Sequence, residues 1–141
     1  MAKIKKLVVD SSVIVKWLNS QDEKYLDQAD KILKDCEKKK VVLYAPELAK
    51  YEVGNAILYK GLSESLAEIS LATLYSLPIS FLSLSEKAAT ESLRIASSLG
   101  ITFYDAVFIN LAKDIGALLV TDNPKHQKLT NKVKVIALKN Y

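Results

Sequence analysis

The chain has almost none of the residues that support soft-metal or disulfide chemistry. Its 141 residues include one cysteine, Cys36, and one histidine, His126. A lone cysteine forms no internal disulfide, which fits a reducing compartment. One cysteine and one histidine disfavour a zinc site. Cys36 stands among Asp35, Glu37 and Lys38, the setting of an inert helix thiol, and His126 reads as a surface residue. Arginine is nearly absent too. Arg94 is the only one, so bidentate reading of bases by arginine is not expected to dominate any nucleic-acid contact; phosphate tracking by lysines stays open. No apolar run is long enough to span a bilayer. The basic, then apolar, N-terminus lacks a signal-peptide pattern, because Asp10 interrupts it early and no small-residue cleavage site follows. A soluble, cytoplasmic protein with no membrane partner is expected.

Half of the residues are hydrophobic, enough for one domain over residues 1–141 with a sizeable core. The net charge is +4 and the pI near 9.0. That balance suits a polyanionic partner, and equally a lysine-rich solvated surface.

Apolar periodicity and turn residues give strands over 4–9, 41–44, 79–82, 117–120 and 133–137. Between them fall helices over 11–18, 25–38, 47–60, 65–74, 83–99 and 102–114. Pro46 opens the third helix, and Gly61, Gly100 and Gly116 stop helices. Ser65-x-x-Glu68, Ser83-x-x-Glu86 and Thr102-x-x-Asp105 read as capping boxes. The pairs Asp27 with Lys31 and Asp30 with Lys34 support the second helix. Alternation of strands and helices implies an α/β fold with a parallel sheet covered on both faces, whose ligand crevice lies beyond the carboxyl ends of the strands. Asp10 ends the first strand, and Thr121, Asp122 and Asn123 follow the fourth, on the same rim.

Four acids lack a helical cation partner or sit against apolar sequence. Asp10 lies between Leu7-Val8-Val9 and Val13-Ile14-Val15, where an ionised group needs a partner. Glu52 has Leu48, Ala49, Asn55 and Ala56 as helical neighbours. Asp105 precedes Ala106-Val107-Phe108-Ile109. Asp122 follows a strand. Each also has an ordinary explanation: an acid at the edge of a core face for Glu52, a capping box for Asp105, an Asn-Pro turn for the Asp122 loop. Taken together with the hydroxyls of Ser12 and Thr121 and the amides of Asn55 and Asn123, they form an all-oxygen set. Such a set suits Mg²⁺ or Mn²⁺ and metal-assisted phosphodiester hydrolysis.

The motifs Asp10-Ser11-Ser12, Pro46 through Asn55, Tyr104-Asp105-Ala106 and Leu119-Val120-Thr121-Asp122-Asn123 occur in the order and spacing of a PIN domain. The whole chain resembles a VapC-type toxin ribonuclease of a prokaryotic toxin–antitoxin pair. The resemblance implies a three-layer α/β/α fold, Mg²⁺- or Mn²⁺-dependent endoribonuclease activity on RNA, inhibition by a VapB-like antitoxin, and a homodimer. Carried over by motif, the first acid falls on Asp10 with its serine on Ser12, the glutamate on Glu52 with its asparagine on Asn55, and the third acid on Asp105. Asp10 and Asp105 would hold the metal, Glu52 would position or deprotonate the attacking water, and the products would carry 5′-phosphate and 3′-hydroxyl ends. The fourth position departs from the pattern. Thr121 matches, but Asn123 stands where the family has aspartate, and Asp122 is one residue early. Asp122 is taken as the contributor, with Asn123 the alternative through its neutral carbonyl.

Lys125, Lys128, Lys132 and Lys134 are candidates to guide RNA, or are simply a solvated basic loop. Two other readings remain: a PIN scaffold that holds metal poorly and works through protein partners, and an RNA-processing PIN nuclease outside any toxin pair. A phosphate-accepting receiver domain fits worse, because Ser83 and Leu84 stand where its acid would be.

Overall fold

The computed structural model describes residues 3–125 and 130–141. Five strands form one parallel sheet: β1 (Lys5–Val9), β2 (Val41–Pro46), β3 (Ile79–Leu82), β4 (Leu118–Thr121) and β5 (Val135–Ala137), in the order β3-β2-β1-β4-β5. Six helices connect or flank them: α1 (Ser11–Leu18), α2 (Leu26–Glu37), α3 (Leu48–Tyr59), α4 (Glu64–Ser76), α5 (Glu86–Leu99) and α6 (Phe103–Ile115). In the central strand β1 the consecutive residues Leu7, Val8 and Val9 are all buried. Successive side chains point to opposite faces of a strand, so such a run requires cover on both. Helices α1 to α4 pack together, and α6 lies on β1, β2 and β4 with α5 against it. This is the three-layer α/β/α arrangement expected. No single helix among the described residues is long and apolar enough to cross a membrane.

The sheet order reverses direction between β1 and β4. The chain leaves β1 for β2 on one side and reaches β4 on the other, which opens a crevice at the carboxyl ends of these two strands. The backbone N–H of Asp10 donates to the Val120 carbonyl at 2.9 Å, extending the ladder one residue past β1.

Local signals were read correctly in kind but shifted in place. Thr102 caps α6, accepting from the Asp105 N–H at 3.1 Å. The caps of α4 and α5 are Ser63 and Ser85, not Ser65 and Ser83; they accept from Leu66 N–H (3.3 Å) and Ala88 N–H (3.1 Å). A cap needs non-helical backbone just before the first helical turn; Ser63 and Ser85 hold that place, whereas Ser65 lies inside α4 and Ser83 two residues upstream of the cap of α5. Pro46 ends β2 rather than opening a helix, and Tyr25 precedes α2 in a left-handed conformation (φ 59°). The expected ion pairs Asp27–Lys31 and Asp30–Lys34 are not among those formed by the described residues; Lys31 donates instead to the Tyr141 carbonyl at 3.1 Å. Trp17 packs on the core and donates to the Ala29 carbonyl at 2.8 Å.

One buried amide is poorly served. Asn110 on α6 is 1% exposed; its amide nitrogen lies 3.5 Å from the Ala88 carbonyl and 3.3 Å from Asp114 Oδ2, and its Oδ1 has no partner. It lines a cavity of about 140 Å³ with Leu48, Phe103, Val107 and Leu111, which leaves room for a larger apolar side chain. The Ala88 carbonyl keeps its bond from Ser92 Oγ at 2.7 Å, and Asp114 is exposed. Replacing Asn110 by leucine therefore removes an orphaned acceptor without creating another. It should stabilise the fold by about 1 kcal/mol. A thermal melt of Asn110→Leu checks this, and a lower Tm than the parent refutes it.

Candidate acidic site at the carboxyl rim

The site is built around the Asp10 carboxylate. Asp10 precedes α1 as its N-cap residue but makes no side-chain cap bond. Its Oδ2 instead accepts from Ser12 Oγ at 2.7 Å and from Thr121 Oγ1 at 2.9 Å. Both hydroxyls are held in turn. Ser12 Oγ accepts from the Asp122 N–H and Thr121 Oγ1 from the Asn123 N–H, each at 3.1 Å. Each hydroxyl thus donates towards the acid and accepts from the loop after β4, so the end of β4 and the start of α1 are pinned together through one carboxylate. Thr121 is fully buried.

Glu52 reaches the same rim from α3. Its Oε1 accepts from Ser11 Oγ at 2.8 Å. Asp105 reaches it from the first turn of α6. Burial pushes the Asp10 carboxyl above its usual range, against the pull of Ser12 and Thr121, and the charge of Asp105 adds to the rise. Burial likewise raises Glu52, opposed by the Ser11 bond, and the charges of Asp10 and Asp105 raise it further. Three carboxylates from distant parts of the chain therefore repel one another here. None of them has a lysine or arginine partner among the described residues.

Asp122 stands apart from these three. Its Oδ2 lies 3.0 Å from Lys16 Nζ, which also contacts Glu23 Oε1 at 3.0 Å; Glu23 Oε2 in turn lies 2.9 Å from Lys60 Nζ. Burial works against the charge on Lys16, but the carboxylates of Glu23 and Asp122 outweigh it and hold its pKa above the usual lysine range. The charge of Asp122 is thus already matched by a cation. Asn123 is exposed and contributes its backbone N–H. Asn55 is exposed on α3, and its side chain makes no hydrogen bond among the described residues.

Two contributors escaped the sequence reading. Ser11 was read as part of the helix start and proves to hold Glu52. Lys16 neutralises Asp122; its signal was a lysine between Val15 and Trp17 on an apolar helix, with no acid three or four residues away. Of the basic candidates, Lys134 enters β5 from its amino end, away from the acidic rim. Lys125 and Lys132 are exposed, and His126 and Lys128 lie outside the described residues.

A hard dication fits this donor set. The donors are all oxygen, three carboxylates repel one another, and the nearby lysine is spent on Asp122. No three acidic, histidine or cysteine side chains among the described residues close to ligating distance in this conformation. Glu52 is drawn towards Ser11, and a Mg²⁺-type site needs only one or two direct carboxylates because the ion keeps much of its water.

A parallel sheet with carboxylates gathered at its switch point defines a class of α/β domain with an acidic site at the carboxyl rim. The PIN domain family model matches residues 7–132, and the chain belongs to that family. No curated protein sequence matches it. Among solved structures it is similar to VapBC2 from Rickettsia felis bound to a DNA fragment from its promoter (TM-score 0.70, 15% identity, covering 94% of this chain and 98% of that one). It is also similar to PAE2754 from Pyrobaculum aerophilum (TM-score 0.66, 26% identity, covering 94% and 83%). A third is VapC20 from Mycobacterium tuberculosis, a Sarcin-Ricin loop cleaving toxin (TM-score 0.63, 13% identity, covering 80% and 86%).

The raised carboxylates set a pH dependence. An acid whose folded pKa lies above its unfolded value costs stability as pH rises past about 4, and costs nothing well below it. Asp10→Asn keeps an acceptor for Ser12 and Thr121 while removing the charge. In metal-free buffer it should melt a few degrees higher than the parent at pH 7.5, with the gap closing towards pH 4; an equal or lower Tm at pH 7.5 contradicts the electrostatic account. Lys16→Met should cost about 2 kcal/mol, less than a fully buried pair because Glu23 and Asp122 keep some water. The ion pairs of Lys16 stabilise the parent fully below about pH 10 and are lost as pH rises through its raised pKa. The variant should therefore lack that alkaline loss in urea titrations at pH 8 and 11.

Proposed function

We propose that this protein is a metal-dependent endoribonuclease of the VapC type, the toxin of a toxin–antitoxin pair, working in the cytoplasm. The observation that carries the reading is the convergence of Asp10, Glu52 and Asp105 on one rim without a cationic side chain to balance them. The VapBC and VapC structures that the chain resembles support it.

Asp10 and Asp105 would hold Mg²⁺ or Mn²⁺. When bound, such an ion offsets the negative charge of a scissile phosphate and of the oxygens it gains and loses. The chain's own residues do the rest. Ser12 and Thr121 fix the Asp10 rotamer, so that one oxygen is committed to the fold and the other is left for a ligand. Ser11 orients Glu52 through Oε1, leaving Oε2 free of protein hydrogen bonds among the described residues. A carboxylate with a raised pKa is a stronger base than a solvated one. Glu52 thus suits aligning and deprotonating a water for attack on phosphorus, with departure of the 3′-oxygen giving 5′-phosphate and 3′-hydroxyl ends. Asp122, neutralised by Lys16, serves the loop that positions Thr121.

A VapB-like antitoxin has an apolar face to bind. Tyr51, Leu58 and Tyr59 on α3 and Leu66, Ile69 and Tyr75 on α4 are all at least half exposed, and exposed apolar side chains of this kind suit a protein partner. A homodimer would cover part of the exposed apolar surface as well.

A second reading is a PIN scaffold that works through partners with weak or no cleavage. It is favoured by Asn123 at the fourth acidic position and by the commitment of Asp122 to Lys16.

The test is cleavage of end-labelled RNA by purified protein over a Mn²⁺ titration with an EDTA control. Parent protein should give 5′-phosphate products. Asp10→Asn and Asp105→Asn should lose at least 100-fold of the rate, on the scale of one removed electrostatic group. Asp122→Asn should lose less than tenfold. Cleavage by neither parent nor variants, at any Mn²⁺ concentration, moves the assignment to the scaffold.

A further inference from the structure

The opposite end of the sheet carries a surface that the acidic site does not use. The amino ends of β1, β2, β4 and β5 face away from the acidic rim, across the full length of β1. Lys3, Lys5, Lys31, Lys39 and Lys40 line one cleft there, floored by Leu7, Val41, Leu118 and Ile136. Lys3, Lys5, Lys6 and Lys134 line an adjoining one that shares Leu118. All seven lysines are exposed, and none is paired with an aspartate or glutamate among the ion pairs of the described residues. The one acid in the first cleft, Asp35, accepts from the Tyr141 hydroxyl at 2.7 Å.

Two of these lysines have a local explanation. Lys6 donates to the Ile115 carbonyl at the end of α6, and Lys31 to Tyr141, where a cation offsets the partial negative charge of exposed carbonyls. The others have none. Lys39 goes further, because it occupies a position that local stability would give to glycine. It sits at φ 59° just past α2. Its N–H donates to the Cys36 carbonyl at 3.0 Å, and the Lys40 N–H to the Asp35 carbonyl at 2.8 Å, the paired bonds of a Schellman cap. Glycine suits the left-handed residue of that cap and lysine does not. A strained cation in an unpaired basic cleft suggests a use for its charge.

We propose that this lysine pole is a second nucleic-acid contact, which grips the phosphate backbone of a structured RNA at a distance from the acidic rim. It rests on the ribonuclease reading only for the choice of RNA as the polyanion. The chemistry fits a backbone contact and not a sequence reader. Every cation is lysine, a point charge without the planar fork that reads a base edge. The apolar floor lies among exposed lysines carried by the ends of several strands and of α2, and such cations contact phosphates irrespective of sequence. An RNA held here and threaded round to the acidic rim must be folded or long; a short single strand reaches only one of the two surfaces.

The experiment measures binding in EDTA, so that cleavage plays no part, by fluorescence anisotropy with two labelled RNAs: a stem-loop of about 30 nucleotides and an unstructured 8-mer, long and short against the protein's width. The variants are Lys39→Gly and the triple Lys3→Gln, Lys39→Gly, Lys40→Gln. Lys39→Gly should raise Tm and weaken stem-loop binding together, so that the loss is not due to unfolding. The triple variant should weaken the stem-loop roughly tenfold at moderate salt and flatten the slope of log affinity against log salt by about 2. Cleavage of the 8-mer once Mn²⁺ is restored should not change. Unchanged stem-loop affinity and slope in a folded triple variant overturn the proposal. So does a poly-glutamate chain of equal charge that competes at these lysines as well as the RNA does, since the pole would then serve an acidic protein. Loss of stem-loop binding with no cleavage of any RNA keeps the pole and removes the nuclease; cleavage of the 8-mer with unaltered stem-loop binding does the reverse.

Discussion

A single carboxylate lies at the seam of the fold. Asp10 is placed where β1 ends and the sheet changes winding direction, and it is tied to the end of β4 by two hydroxyls and to the ladder by its own N–H. Those bonds compensate part of the cost of burying a charge, and the nearby Asp105 and Glu52 add to that cost. The site is thus held in an electrostatically unfavourable state by a sheet stable enough to impose it. That is the usual relation between a functional site and its scaffold: local strain at the site, sustained by packing elsewhere. The deeply buried β1 and α6 on either side of the acids provide that packing.

The charges sort into three separate systems. At the carboxyl rim, Asp10, Glu52 and Asp105 stand without cations. Beside them, Lys16 gathers Glu23 and Asp122 into a closed ion-pair chain that extends to Lys60. At the amino ends of the strands, seven lysines stand with a single acid, Asp35, among them. The parallel topology explains the polarity, because it sends all strand ends of one kind to one side. Anionic and cationic surfaces are then kept apart by the length of the strands, and the middle system prevents Lys16 from quenching the first.

The strands, the helices and the α/β class were legible in the chain because hydrophobic period is a local property. Leu7-Val8-Val9 reads as a doubly buried strand without knowledge of its neighbours, and Gly100 and Gly116 stop helices for a reason intrinsic to glycine. Capping serines were harder to place. The segments around Ser63, Ser65, Ser83 and Ser85 offer several serines within three residues, and only the backbone conformation chooses among them. Asp10, Glu52 and Asp105 were legible as acids without local partners, and the order of motifs brought them together.

Where tertiary structure alone decided, the reason was distance along the chain. Nothing near Asp122 in sequence announces Lys16, 106 residues earlier, and nothing near Glu52 announces Ser11, 41 residues away. Whether an acid is free to bind a cation or is already neutralised depends on which side chains the fold brings within about 3 Å, where charge-assisted bonds form. By itself the sequence determined which segments fold into strands and helices and which carboxylates stand unbalanced locally, since propensity and period act over a few residues. Only the folded chain decided which of those carboxylates remain unbalanced, because long-range contacts set their charge environment.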